Sequence, residues 1–230
     1  MRVCVESYGF LPVDKDAFKG EIPAIKSMVP FSPFDFYLKR KLYIHNMGHA
    51  TCAYLGDLLG LPYIYQAIDV PQIRVIVENA MLESALALSK KYGVELSDIR
   101  AHIEDLLFRF TNEALKDTCQ RVGGDPTRKL SPEDRLIGAS KLAVQQGICP
   151  CFMAIGGGAA VYRYIKESDN ATQNVERAKQ VLETVSGLKA EDETAVRILH
   201  FYEMIAGGAD LSALLREADR MKAAARTNVI

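Results

Sequence analysis

The sequence predicts an all-α fold, a multi-helical domain preceded by a short N-terminal strand and extended segment. Three observations carry this expectation. Apolar residues recur at helical spacing from residue 32 onward, caps, prolines and glycines punctuate the helix starts and stops, and only residues 2–8 alternate in the manner of a strand. With 230 residues, 49% hydrophobic and 25% charged, the chain can bury a substantial core as one large domain. It shows neither a repeat period nor a low-complexity tract.

Arg-Val-Cys-Val-Glu-Ser-Tyr at residues 2–8 reads as a strand, yet almost nothing later offers it a partner. A lone strand is not stable, so the segment is expected to join a sheet elsewhere or to be the edge of another domain. Leu11 to Pro30 carries three prolines and a glycine and reads as an extended connector. Residues 1–30 thus form a strand and connector, and residues 31–230 the helical domain. In Ser32-Pro33-Phe34-Asp35 a hydroxyl cap precedes a proline at the first helical position, and Gly60-Leu61-Pro62 closes that helix. Ser131-Pro132-Glu133-Asp134 repeats the device before a helix ending near Gly147. Other helices are expected over 71–92, 98–110, 113–122, 150–165, 174–186, 191–205 and 211–225.

Composition excludes several function classes. A formal net charge of -1 gives no clustered positive excess for nucleic acid or an anionic membrane, while a small neutral or anionic ligand fits. No apolar run reaches the length of a membrane span, and Met1 is followed by Arg2 and a polar stretch rather than a signal peptide. The five cysteines, Cys4, Cys52, Cys119, Cys149 and Cys151, are odd in number and scattered, which suits a reducing cytoplasm. Cys149-Pro150-Cys151 has one residue between its thiols, a poor spacing for a redox motif or a metal site, so plain buried thiols are expected.

Chemistry concentrates on the first long helix, in Lys41-Leu42-Tyr43-Ile44-His45-Asn46-Met47-Gly48-His49. At roughly 100° per residue, Asn46 falls about 140° and His49 about 80° from Lys41, with His45 in the same arc at about 40°. The group can therefore converge on one small ligand. A solvated surface stripe is the competing reading, but an apolar run from Ala50 to Leu61 follows, and Gly48 and Gly56 inside the helix point to close backbone approach. A lysine partly buried in a cleft has its charged form disfavoured and can act as a general base. Asn46 can donate to an oxygen becoming an alkoxide, and His49 can fix a neighbouring hydroxyl. His45 and His49 have the i, i+4 spacing of two metal ligands, but no third ligand is fixed and no metal is expected. Arg121, Arg128 and Lys129 offer basic groups to a phosphate, with helix-terminal charge or loop solvation as the competing reading.

Lys41-x4-Asn46-x2-His49 resembles the signature of the polyol-specific long-chain dehydrogenases. The run from Lys41 to Gly56 and the upstream Leu11–Gly20 are similar to the mannitol-1-phosphate 5-dehydrogenases of that mannitol dehydrogenase family. So are Arg109-Phe-Thr-Asn112, Leu115-Lys-Asp117, Arg121-Val-Gly-Gly-Asp125-Pro126-Thr-Arg128-Lys129-Leu130 and Asp134-Arg135-Leu136-Ile137, in order. The resemblance covers about residues 5–206. It implies the helical C-terminal substrate domain of an NAD-dependent enzyme that interconverts a secondary alcohol of a sugar alcohol, mannitol 1-phosphate foremost, and a ketose. It implies further that Lys41 is the acid/base, that Asn46 and His49 position the reacting oxygens, and that Arg121 and Lys129 contribute to substrate binding. His45 stands where relatives tend to carry an apolar residue or threonine, beside the base, and Gly123-Gly124 loosens a loop that elsewhere carries a basic residue.

A nucleotide-binding domain would announce itself as a strand, a Gly-rich turn and a helix with an acid about 20 residues on. No such unit occurs, and Gly156-Gly157-Gly158 lies within a helical pattern, where close helix packing is expected. In the family the nucleotide domain precedes this region, and residues 2–8 resemble its last strand, so the chain is expected to be a fragment, an isolated domain or the product of a split gene. Alone it should neither bind NAD tightly nor turn over. Its expected partners are a polyol or polyol phosphate, a separate nucleotide-binding domain and, through the open strand edge, a second copy of itself. Two alternatives stand beside this: a non-catalytic helical module that binds a sugar or a partner, and a dehydrogenase acting on free mannitol or a hexonate.

Overall fold

The computed structural model describes residues 9–169 and 172–227, so the strand expected over residues 2–8 lies outside the described residues. The sheet that is described comes from the segment expected to be only a connector. β1 (Leu11–Asp14) and β2 (Met28–Phe31) pair in parallel, Leu11 opposite Met28 and Asp14 opposite Phe31. A parallel pair needs a crossover of a dozen or more residues, which residues 15–27 supply. Pro12 and Pro30 hid both strands from the sequence reading. In a two-stranded sheet each strand is an edge, where proline is tolerated.

The first long helix runs as α1 (Asp35–Arg40), a π-helical segment (Lys41–Asn46) and α2 (Met47–Leu58). Ser32 does not cap it. The N-cap is Phe34, and the Ser32 hydroxyl instead donates to Asp16 Oδ2 at 2.5 Å, because the chain is still leaving β2 at this point. The stop falls where glycine and proline placed it, with Gly60 in the left-handed region at φ 69°.

Most of the remaining helices lie where their punctuation put them. After the short α3 (Ile64–Asp69) come α4 (Pro71–Tyr92), which ends on left-handed Gly93, and α5 (Leu96–Phe110). The helix expected over 113–122 is broken, because Lys116 turns left-handed at φ 50°. It becomes a 3₁₀ turn (Glu113–Leu115) and α6 (Cys119–Gly123), the latter capped by the Thr118 hydroxyl accepting the Arg121 N–H. After α7 (Pro126–Lys129), residues 131–136 form turns, so α8 (Ile137–Gln145) starts later than Ser131-Pro132 suggested. α9 (Cys151–Asp169), α10 (Val175–Thr184), α11 (Glu193–Ala206) and α12 (Leu211–Thr227) complete the described helices.

α2, α4 and α9 pack on one another, with α11 along α9. Tyr54, Met81, Phe152, Phe201 and Tyr202 are among the fully buried side chains, each large apolar group contributing about 1.5–3 kcal/mol on burial. Glycine permits this approach. A Cβ at Gly48 would lie 2.7 Å from Met81 Sδ, and one at Gly56 2.7 Å from both Ala67 Cβ and Cys119 Sγ. Along α9, a Cβ at Gly156, Gly157 or Gly158 would meet Thr51, Ile198 or the Tyr202 backbone nitrogen within 2.9 Å. Buried Glu83 of α4 closes the N-terminus of α9, its carboxyl oxygens accepting the Phe152 and Met153 N–H groups at 3.0 Å, while burial pushes its pKa up to about 8.

Candidate active site

The π-helical segment begins at Lys41 and ends at Asn46, the first two members of the signature. Its i→i+5 hydrogen bonding winds the chain less per residue than an α-helix does, so the 100° arithmetic does not hold across it. The consequence is a redistribution of the expected cluster. Lys41 is exposed and lines a cavity of about 610 Å³ with Phe10, Leu11, Tyr37, His102 and others. His49 lines an adjoining cavity of about 200 Å³ with Tyr65, Phe110, Asn112 and Asp117. His45, Arg109 and Leu115 line both and form the seam between them. Asn46 is half-buried and lines neither. The structure thus brings Lys41, His45 and His49 to two contiguous cavities without gathering all three, and it corrects the expected partial burial of Lys41.

Aromatic stacking fixes His49, whose ring lies 4.8 Å from that of Phe110 at 18°, with the His45 ring 6.1 Å away. Its side chain retains 21% exposure, and Nε2 stands 3.6 Å from Asp117 Oδ2, too far for a hydrogen bond. Burial, followed by the charges of Arg121, Arg135 and Lys129, pushes its pKa down to about 4, so the imidazole is neutral at physiological pH. A neutral imidazole has one donor and one acceptor, the pair that a substrate hydroxyl matches.

The basic residues occupy different environments. Arg121 is 65% exposed and bonded to Asp117, one turn back on the chain. Lys129 is buried, its Nζ donating to the Gly124 carbonyl, and burial with the charges of Arg135 and Arg128 lowers its pKa to about 8. Arg128 points outward and pairs with Asp125 at 3.2 Å. Arg121 and Lys129 therefore act electrostatically on the His49 pocket, whereas Arg128 contributes to the loop surface. Arg135, held at 2.7 Å by Asp134, belongs with the first two and had been assigned no role from sequence. The same is true of Arg109, Asp117 and Phe110. All four lay inside or beside the ordered motifs, which was the available signal.

The larger cavity carries an apolar rim, with Leu11 and Leu38 each 58% exposed and Leu115 37%. Among the described residues no group of three His, Cys, Asp or Glu side chains is placed to hold a metal ion. Nor is any described helix long and apolar enough to cross a membrane. The three-glycine run is consumed by helix packing in α9, so the described residues present no Gly-rich cradle that fits the pyrophosphate of NAD.

The model of the mannitol dehydrogenase C-terminal domain matches residues 34–216. The chain is 37% identical over 212 residues to a mannitol-1-phosphate 5-dehydrogenase of Caldanaerobacter subterraneus subsp. tengcongensis, covering 89% of this chain and 54% of that protein. It is 34% identical over 206 residues to a mannitol-1-phosphate 5-dehydrogenase of Thermoanaerobacter pseudethanolicus, covering 87% and 53%. The chain therefore spans about half the length of these curated relatives. Among solved structures, mannitol 2-dehydrogenase of Pseudomonas fluorescens, in ternary complex with NAD and D-mannitol, superposes with a TM-score of 0.67 at 17% identity, over 84% of this chain and 43% of that one. A substrate-free D-sorbitol dehydrogenase gives 0.62 at 14%, over 85% and 44%. These two establish a shared helical fold.

Proposed function

The chain belongs to the mannitol dehydrogenase C-terminal domain family, and on that footing we propose that it is the substrate-binding and catalytic half of an NAD-dependent polyol dehydrogenase. Its substrate is mannitol 1-phosphate, its setting the cytoplasm, and its partner a nucleotide-binding domain. NAD, held by that domain, supplies the hydride acceptor.

One observation carries the reading: Lys41 and neutral His49 open onto contiguous cavities joined at His45 and Arg109, with Arg121, Lys129 and Arg135 acting on the inner one. In oxidation, Lys41 Nζ takes the proton of the substrate's secondary hydroxyl. In reduction the same ammonium returns a proton to the ketose oxygen. The half-buried Asn46 amide and the His49 imidazole orient oxygens by hydrogen bonding, and Arg109 in the lining, with the positive charges of Arg121, Lys129 and Arg135 nearby, favours an anionic phosphate over a neutral polyol. The exposed apolar rim is the surface that a covering domain would bury. Water removed from around Lys41 on closure is the change that makes a lysine a base.

A non-catalytic binding module would place an exposed Lys41 away from any cleft. Lys41 is exposed, but it lines the larger cavity, and the relatives at 34% and 37% identity are dehydrogenases. The test is oxidation of mannitol 1-phosphate with NAD by this chain alone, by the chain mixed with a separately produced nucleotide-binding domain of the family, and by the same mixture carrying Lys41→Ala. Turnover only in the unsubstituted mixture is the expected result. Inactivity of every mixture toward phosphorylated and free polyols alike would overturn the proposal.

A further inference from the structure

Away from the residues assigned to the polyol reaction, the Cys149-Pro150-Cys151 motif departs from the plain buried thiols expected of it. Pro150 holds the entry to α9, its carbonyl accepting the Ala154 N–H at 3.0 Å, and the flanking side chains turn toward each other. The Cys149 and Cys151 Sγ atoms stand 2.7 Å apart, well inside ordinary non-bonded sulfur contact. A shift of well under about 1 Å would close that gap to a bond of roughly 2.05 Å. Their environments are unequal, since Cys151 is fully buried while Cys149 is only partly so. Arg197 of α11, anchored by Glu193 at 2.6 Å, directs its positive charge at Cys149. We infer that Cys149 and Cys151 form a dithiol exchange site for low-molecular-mass disulfides such as glutathione disulfide, with Cys149 attacking and Cys151 resolving.

The asymmetry assigns the roles. A hydrogen bond from Cys151 and then the Arg197 charge hold the Cys149 thiol below the ordinary cysteine range against the opposing effect of burial, while the same hydrogen bond and burial push Cys151 up. The thiolate is the nucleophile, so the accessible, more acidic thiol reacts first. Cys149 Sγ attacks one sulfur of R–S–S–R, the S–S bond breaks, and R–S⁻ leaves to take up a proton. Cys151 Sγ then loses its proton and attacks Cys149 Sγ, expelling the second R–S⁻. Two protein thiols are oxidised to one disulfide, and the small disulfide is reduced to two thiols. A bridge across a single intervening residue closes a tight ring, and strained disulfides are the readily reduced kind, so the site is reversible in a cytoplasmic thiol pool.

The experiment equilibrates the full chain in a series of glutathione buffers from reducing to oxidising, quenches with acid, alkylates the remaining thiols and reads each cysteine by peptide mass. The Cys149–Cys151 peptide is expected to lose two hydrogens in the oxidising buffers and regain them in the reducing ones. Under reducing conditions at neutral pH, Cys149 should alkylate roughly tenfold faster than buried Cys119, the gain in thiolate being partly offset by lower intrinsic nucleophilicity. Cys151→Ser should trap the glutathione adduct on Cys149, and Arg197→Gln should slow Cys149 alkylation several-fold. A Cys149 that reacts no faster than Cys119, and a pair that stays reduced throughout the series, would overturn the assignment on the unsubstituted protein alone.

Discussion

The helical run from Asp35 to Leu58 serves two regions of opposite character. Its inner side, with Ile44, Met47 and Gly48, sits in a core closed by the chain's own atoms, where α2 meets α4 and α9 at glycine contacts. Its Lys41 side faces a large cavity rimmed by exposed leucines. The π-helical segment between α1 and α2 is where one helix changes roles. The difference teaches that one helix can be sealed on its inner side by packing among the described residues while its Lys41 side stays open to a cavity with an apolar rim.

Substitutions at the two regions should therefore separate activity from stability. The largest expected effect is on the open side. Lys41→Ala, in the enzyme assembled with a nucleotide-binding domain, should lower kcat by about 10²–10⁴, the usual worth of a general acid/base. Its thermal melt should stay unchanged, because an exposed side chain contributes little to folding. The closed side should behave in reverse. At Gly158 a Cβ would lie 2.7 Å from the Tyr202 backbone nitrogen and 3.1 Å from the Phe201 carbonyl carbon, neither free to move. Gly158→Ala should cost about 1–3 kcal/mol in denaturant unfolding.

A smaller, pH-dependent effect distinguishes the site histidines. His49 and His102 are pushed down from 6.5 to about 4, chiefly by burial and then by nearby positive charges. As pH falls below 6.5 the unfolded chain binds protons on these rings while the folded chain does not, so stability drops across the window from 6.5 to 4 and this loss levels off below it. His49→Gln and His102→Gln should each flatten that part of a melting-temperature profile; unchanged slopes would place the acid sensitivity elsewhere. The smallest effect comes from Arg121, which acts on the inner cavity by charge and not by lining it. Arg121→Ala should raise KM for mannitol 1-phosphate about tenfold, or ~1.4 kcal/mol, and leave KM for free mannitol nearly unaltered. Its exposed ion pair with Asp117 should matter little to folding.

The two regions also differed in how far they could be read in advance. Helices such as α4 and α10 were legible because local punctuation decides them: Pro71 and Gly93 bound one, and the Asn174 side chain accepts the Glu176 N–H at the start of the other. The packing roles of Gly48, Gly56 and Gly156–Gly158 were legible too, since glycine inside a helix is costly without a neighbour pressed against it. What escaped depended on tertiary context. β1 and β2 carry prolines that argue against strands, and their pairing is non-local. Ser32 found a partner in Asp16 instead of a helix end. The site residues were named by order and spacing, but the π-helical winding between Lys41 and Asn46, the outward turn of Arg128 and the positions of Arg109 and Arg135 follow from packing that spacing does not encode.

The central claim, that Lys41 moves the proton at the mouth of this cavity, is tested most directly by chemical rescue. Small primary amines are added to the Lys41→Ala enzyme assembled with its nucleotide-binding domain, and mannitol 1-phosphate oxidation is followed. The account predicts saturable recovery of activity whose rate increases with the base strength of the amine. Full activity of the unrescued variant, or no recovery with any amine in a correctly folded assembly, would contradict it.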